Sequence, residues 1–196
     1  MTVIGVTGPS GAGKSLFCSY FENQGCLHLD CDKIYHSLVD SPSECTHALE
    51  AEFGSSVIKS DGSLDRVALG AIVFAPGANE LRARLNKITH AFVLAEVRKL
   101  ITNTEKECAV IDAPLLFEAG FDKECDLTVA LLASPELRLA RLCERDSRTV
   151  EALRARMAAA PSDEFYSTRA NITVINDGDA DKLRAEAEKI LREMIK

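Results

Sequence analysis

The chain has 196 residues, 46 % of them apolar and 27 % charged, with a formal net charge of −7. That length and composition suit one globular domain with room for a small inserted lobe. The acidic balance argues against general affinity for nucleic acid or an anionic membrane surface, so any phosphate must be held by local geometry. No apolar run approaches the roughly 18 residues that cross a bilayer, and the first residues lack the basic-then-apolar pattern of a secretory signal. The expected setting is cytoplasmic, as a monomer or small homo-oligomer without nucleic-acid or membrane partners. Seven cysteines are scattered with no C-x-x-C pair, which reads as reduced thiols rather than a disulfide frame or zinc site. Cys31, beside candidate catalytic acids, reads first as a packing residue.

In chain order, "TVIGVT" (2–7) predicts a buried strand that ends in glycine and proline. A glycine-rich loop then enters a helix with Leu16, Phe17, Tyr20 and Phe21 at helical spacing. "GCLHLD" (25–30) predicts a second strand. From 32 to about 104 the pattern is mostly helical, broken by "DSPS" (40–43) and an Asp61–Gly62 turn. Within it, Leu81, Leu85, Ile88 and Phe92 form one apolar stripe of a long helix. "CAVIDAP" (108–114) and "LTVALLA" (127–133) predict the third and fourth strands, the latter followed by a helix capped by Ser134 and started by Pro135. That helix runs toward 146, and more helix follows to about 160. "NITVIN" (171–176) predicts a fifth strand, Asp177–Gly178 its turn, and a last helix carries Leu183, Ala187, Ile190, Leu191 and Met194 on one side. Strands joined by helical crossovers imply a parallel sheet covered on both faces, a three-layer α/β fold. One domain over 1–196 is expected, with the helical region about 35–105 facing the substrate.

"GPSGAGKS", Gly8 to Ser15, matches G-x-x-x-x-G-K-[ST] at every position, between a predicted strand and a predicted helix. Gly8, Gly11, Ala12 and Gly13 let successive backbone N–H groups wrap phosphate oxygens, and the helix N-terminus adds partial positive charge there. Lys14 can reach the β- and γ-phosphates, and the Ser15 hydroxyl can ligate Mg²⁺; Leu16 follows directly. A nucleoside triphosphate such as ATP, with magnesium, is the inference. The motif alone does not separate kinases from switches or motors.

A kinase also needs a group that orients the acceptor hydroxyl. "LDCDK" supplies Asp30 and Asp32 at the carboxyl end of the second strand, the edge where ligands of open α/β sheets sit. Alternation along an extended chain would send both to one side. On spacing alone, Asp32 reads equally as that orienter and as a helix N-cap. Asp112, ending the third strand, stands where a Walker B acid holds magnesium or its water, although strand-ending aspartates are also common in turns. Glu118 follows six positions on. Arg138, Arg141, Arg145 and Arg148 step by three, four and three, so they are expected on one helix face, either clamping phosphates or as a solvated stripe.

In this order the pieces resemble the dephospho-CoA kinases. The likeness runs from "GVTGPSGAGKS" through "HLDCDKIYHSLV", "FGSSVIKSDGSLDRVALGAIVF", "ITHAFV", "DAPLLFEAG" and "LARLCERD" to "VINDG", nearly the whole chain. It implies a P-loop kinase fold with a CoA-binding helical region and a lid, about 138–170. It also implies Mg·ATP-dependent phosphorylation of the ribose 3′-hydroxyl of dephospho-CoA, the last step of coenzyme A synthesis. By resemblance Asp32 orients or deprotonates that hydroxyl, and His90, Leu115, Leu116 and Glu118 touch substrate. Arg141 and Arg145 are lid-side arginines, and Asn176 and Gly178 lie near adenine. The chain departs from the family pattern at Leu16, where threonine is usual, and at Ala91, where proline is. Ala160 replaces a glutamine and Asn171 an aspartate.

The runner-up is another P-loop kinase acting on a nucleoside or nucleotide. A guanine-reading switch would want N-K-x-D, and the only N-K, "NKIT" (86–89), lacks the aspartate.

Overall fold

A computed structural model describes residues 1–195. In chain order the elements are β1 (Thr2–Thr7), α1 (Lys14–Asn23), β2 (Leu27–Asp30), α2 (Cys31–Val39), α3 (Glu44–Phe53), α4 (Arg66–Val73) and α5 (Asn79–Thr102). There follow β3 (Cys108–Asp112), β4 (Leu127–Leu132), α6 (Pro135–Arg145), α7 (Val150–Ala158), α8 (Asp163–Ser167), β5 (Ile172–Ile175) and α9 (Ala180–Met194). The chain forms two compact units, Met1–Leu29 with the chain from Glu105 onward, and Asp30–Thr104.

The first unit is built on a parallel sheet of order β2-β3-β1-β4-β5. β1 is central, pairing Val3 with Ala109 on one side and Val6 with Val129 on the other. Being covered on both faces, it is a near-continuous apolar run rather than an alternating one. The two faces separate by strand alternation. Val129 and Leu131 of β4 pack with Phe17 and Phe21 of α1 and with Leu183, Ala187 and Ile190 of α9. Ala130 and Leu132 point the other way, to Tyr166 of α8 and the rings of Phe117 and Phe165. All five predicted strands are present, three of them trimmed at their carboxyl ends. β3, for instance, stops at Asp112 because the next residues turn, with Leu116 N–H donating to Ala113 C=O at 3.3 Å.

Asn171 anchors the edge strand. Its Oδ1 accepts from Thr128 N–H and Thr128 Oγ, both at 2.8 Å, while its own N–H donates to Thr128 Oγ at 3.1 Å. Asn171 thus ties β5 to β4 through contacts that an aspartate would also make.

The second unit is helical around Val39, Leu49, Val57, Leu64, Leu69 and Val73, against which α5 lays the predicted stripe of Leu81, Leu85, Ile88 and Phe92. The "DGSLDR" block is legible here as local chemistry. Asp61 Oδ1 accepts from Ser63 N–H (2.9 Å) and Ser63 Oγ (2.6 Å), Leu64 is buried, and Asp65 caps α4 through Val67 and Ala68 N–H. Arg66 pairs with Asp40. Ala91 sits inside the 24-residue α5, where a proline would remove a donor and cost about 3 kcal/mol.

Five cysteines are buried, Cys125 is half-buried and Cys143 exposed. Burial pushes the Cys45 thiol up to about 11 and the Cys125 thiol up to about 12, so both stay protonated. No helix among the described residues is long and apolar enough to cross a membrane.

Candidate active site

The glycine-rich loop leaves β1 at the centre of the sheet. There the connections diverge, to β2 and β3 on one side and to β4 and β5 on the other, which is the switch point where such sheets bind ligands. Two glycines are obligatory for close approach. A Cβ on Gly8 (φ 142°) would lie 2.1 Å from the Leu131 carbonyl oxygen of β4, and one on Gly13 (φ 99°) would lie 2.5 Å from Asn176 Nδ2. Gly13 also leaves the start of α1 without a side-chain cap, so its first N–H groups suit an anion. Lys14 Nζ donates to Gly8 C=O at 3.0 Å, holding the ammonium across the loop. Ser15 and Leu16 lie exposed on the first turn.

The outer side of the loop is braced by buried polar groups. Asn176, 3 % exposed, donates from Nδ2 to Ala12 C=O at 2.7 Å, and its Oδ1 accepts from Gly178 N–H at 3.1 Å. Arg141 donates to Gly11 C=O (3.1 Å), Ala12 C=O (3.3 Å) and Asn176 Oδ1 (3.3 Å). Arg138, 6 % exposed, donates from Nε to Ser10 C=O at 3.1 Å and pairs with Asp163 at 3.5 Å. Arg156 reaches Ser10 Oγ at 3.3 Å. Four side chains far along the sequence thus fix the loop from outside, with the carbonyls of Ser10, Gly11 and Ala12 among their partners.

The arginines therefore do not form one stripe. Arg138 and Arg141 are committed to the loop, while Arg145 forms an exposed pair with Asp146 at 2.7 Å that raises its own pKa and lowers the aspartate's. Arg148 lies beyond the helix, which ends at Arg145 with Asp146 in extended conformation. The bracing role of Arg138 was not visible in the sequence beyond its place in the arginine series.

Asp112 ends β3, 5 % exposed, with Oδ2 4.0 Å from His28 Nε2. In the turn that follows, Leu115 is 41 % exposed and Glu118 is exposed, whereas Leu116 is fully buried beside Gly5. Its part in this structure is packing.

In the helical unit, Asp30 rather than Asp32 is the cap of α2. Asp30 Oδ1 accepts from Lys33 N–H at 3.0 Å, and its Oδ2 pairs with Lys33 Nζ at 3.1 Å. Asp32 stands exposed in the first helical turn. The chain becomes helical at Cys31, so strand alternation does not relate the two carboxylates, and the capping role expected as an option for Asp32 falls to Asp30. His90 is half-buried on α5, and burial holds its pKa below the ordinary imidazole value.

A braced phosphate loop at the switch point of a parallel five-stranded sheet is the architecture of a P-loop kinase. The relatives narrow the class. The sequence matches the family profile described as dephospho-CoA kinase over residues 2–182. It is 34 % identical over 198 residues to the dephospho-CoA kinase of Corynebacterium glutamicum, covering 100 % of this chain and 98 % of the relative. The corresponding figures for that of Streptomyces avermitilis are 36 %, 100 % and 95 %. The solved dephospho-CoA kinase of Campylobacter jejuni superposes with a TM-score of 0.70 at 27 % identity, covering 97 % of this chain and 96 % of that one. The chain belongs to the dephospho-CoA kinase family.

Proposed function

We propose that the chain transfers the γ-phosphoryl group of ATP to the ribose 3′-hydroxyl of dephospho-CoA, giving coenzyme A. The family match along nearly the whole chain, with "GPSGAGKS" intact, is the observation that carries this reading. In the proposed mechanism the amides of Gly11, Gly13 and Lys14 bind the β-phosphate, and Lys14 moves from the Gly8 carbonyl to the β- and γ-phosphates. Asn176 and Gly178 border the adenine. Asp32 orients the 3′-hydroxyl and takes its proton as the phosphoryl leaves ADP. His90, Leu115 and Glu118 contact the acceptor, with Leu116 fixing the turn that carries the last two.

The hydroxyl of Ser15 and the buried carboxylate of Asp112 are hard oxygen donors, a set that fits Mg²⁺. When bound, that ion would neutralise charge on the β- and γ-phosphates. Region 138–170 is proposed as the lid, Arg141 stabilising phosphate charge from the loop and Arg145 exchanging Asp146 for the transferring phosphoryl. The setting that follows is the cytoplasm.

The test is ADP release from Mg·ATP with dephospho-CoA, nucleosides or nucleotides as acceptor. ADP formation dependent on dephospho-CoA is expected; preference for a nucleoside or nucleotide, with dephospho-CoA ignored, would overturn the reading.

A further inference from the structure

Three side chains from separate elements of the α/β unit converge in its interior. They are Cys18 of α1, His28 of β2 and Asp112 of β3, whose ligand atoms all lie within 4.8 Å of one another. Cys18 is fully buried, Asp112 is 5 % exposed and the His28 side chain 12 % exposed.

The histidine is set up in a particular way. Its Nδ1 lies 3.2 Å from Glu22 Oε2, and a carboxylate can only accept, so Nδ1 donates there. Its Nε2 is buried without a hydrogen-bond partner and faces Asp112 Oδ2 at 4.0 Å. A buried ring nitrogen without a hydrogen-bond partner, beside a carboxylate and a thiol, offers a donor set that a cation can use. Carboxylate-to-imidazole support on the far nitrogen is also how metal-binding histidines are oriented and made more basic.

We propose that Cys18 Sγ, His28 Nε2 and Asp112 Oδ form a site for a zinc-class divalent cation, with Glu22 as the outer partner of His28. A thiolate, an imidazole and a carboxylate suit zinc better than magnesium. Tetrahedral zinc with bonds of about 2.0–2.3 Å spaces its ligands roughly 3.3–3.8 Å apart, so movements of about an ångström close the cluster and leave the fourth position to water. On binding, the Cys18 thiol gives its proton to solvent and its sulfur electron pair to the metal, releasing one proton per ion. Occupancy also engages the carboxylate assigned above to nucleotide-bound magnesium. The binding itself does not depend on that assignment.

The test is addition of Co²⁺, then Zn²⁺, to the purified chelator-treated protein without nucleotide, read by absorption. A single equivalent of Co²⁺ should give a thiolate-to-cobalt charge-transfer band with tetrahedral d–d bands, and Zn²⁺ should erase both. Cys18→Ala should abolish the charge-transfer band, His28→Leu should weaken binding at least tenfold, and Glu22→Gln should weaken it about tenfold. Cys143→Ser, which removes the exposed thiol, should leave the spectrum intact. Absence of the band in the wild-type protein would overturn the site, as would a Cys18→Ala variant that retains it.

Discussion

The two units position their candidate residues by opposite means. In the α/β unit Asn176, Arg138 and Asp112 are buried, and the phosphate loop is fixed by hydrogen bonds from α6, α7 and the β5–α9 connection. In the helical unit Asp32 stands in solvent on the first turn of α2 and His90 is half-buried on α5. Phosphates are the same in every nucleotide, so their cradle gains from being rigid before the ligand arrives. An acceptor with a long, flexible arm is better met by side chains that can still adjust. The difference separates residues whose loss should change the protein's shape from residues whose loss should change only its chemistry.

Four substitutions probe that division, the largest effect first. Lys14→Ala should lower kcat by about a thousandfold or more with the fold intact, since a charge at the transferring phosphoryl is lost; steady-state ADP release checks it. Asp32→Asn should cost roughly a hundredfold or more in kcat while ATP affinity, read by calorimetry, stays within about twofold. Retained turnover in that variant would leave Asp32 a bystander, because Asp30 already supplies the cap. Asn176→Ala should behave in the opposite way, losing about 2 kcal/mol of stability because buried partners are left unpaired, with a raised KM for ATP; a denaturation midpoint and a KM series read both.

His90 gives the smallest and most specific effect. Its folded pKa lies below the ordinary value of about 6.5, so below that pH the unfolded chain binds the proton that the folded one refuses. Its contribution to stability is present above about pH 6.5 and fades as pH falls through the depressed folded value. Tm measured across this window should fall less steeply in His90→Leu than in the wild type.

Much of this was legible in the sequence. Periodicity and turn residues place all five strands, and Ser134 caps α6 through Leu137 N–H as expected. "GPSGAGKS" is legible because loop, strand and helix are contiguous, and β1 and α1 flank it as expected. What escaped was non-local or decided by a single backbone step. Asp30 became the cap because the chain turns helical one residue earlier than alternation assumed. Arg138 and Arg141 share the predicted face, yet only the fold reveals that the face meets the loop's carbonyls. α8, five residues long, has too little pattern to announce itself. The Cys18, His28 and Asp112 cluster is invisible to spacing rules because its members come from three elements.

The amide of Asn176 has a consequence in the order of synthesis. It closes on Ala12, 164 positions earlier in the chain, so the phosphate loop leaves the ribosome well before this brace does. Until β5 and the turn after it have emerged and docked, the nascent chain carries the whole "GPSGAGKS" motif without the Asn176 amide that completes its bracing. A nascent chain halted before Asn176 should therefore fail to retain ATP, however complete its motif.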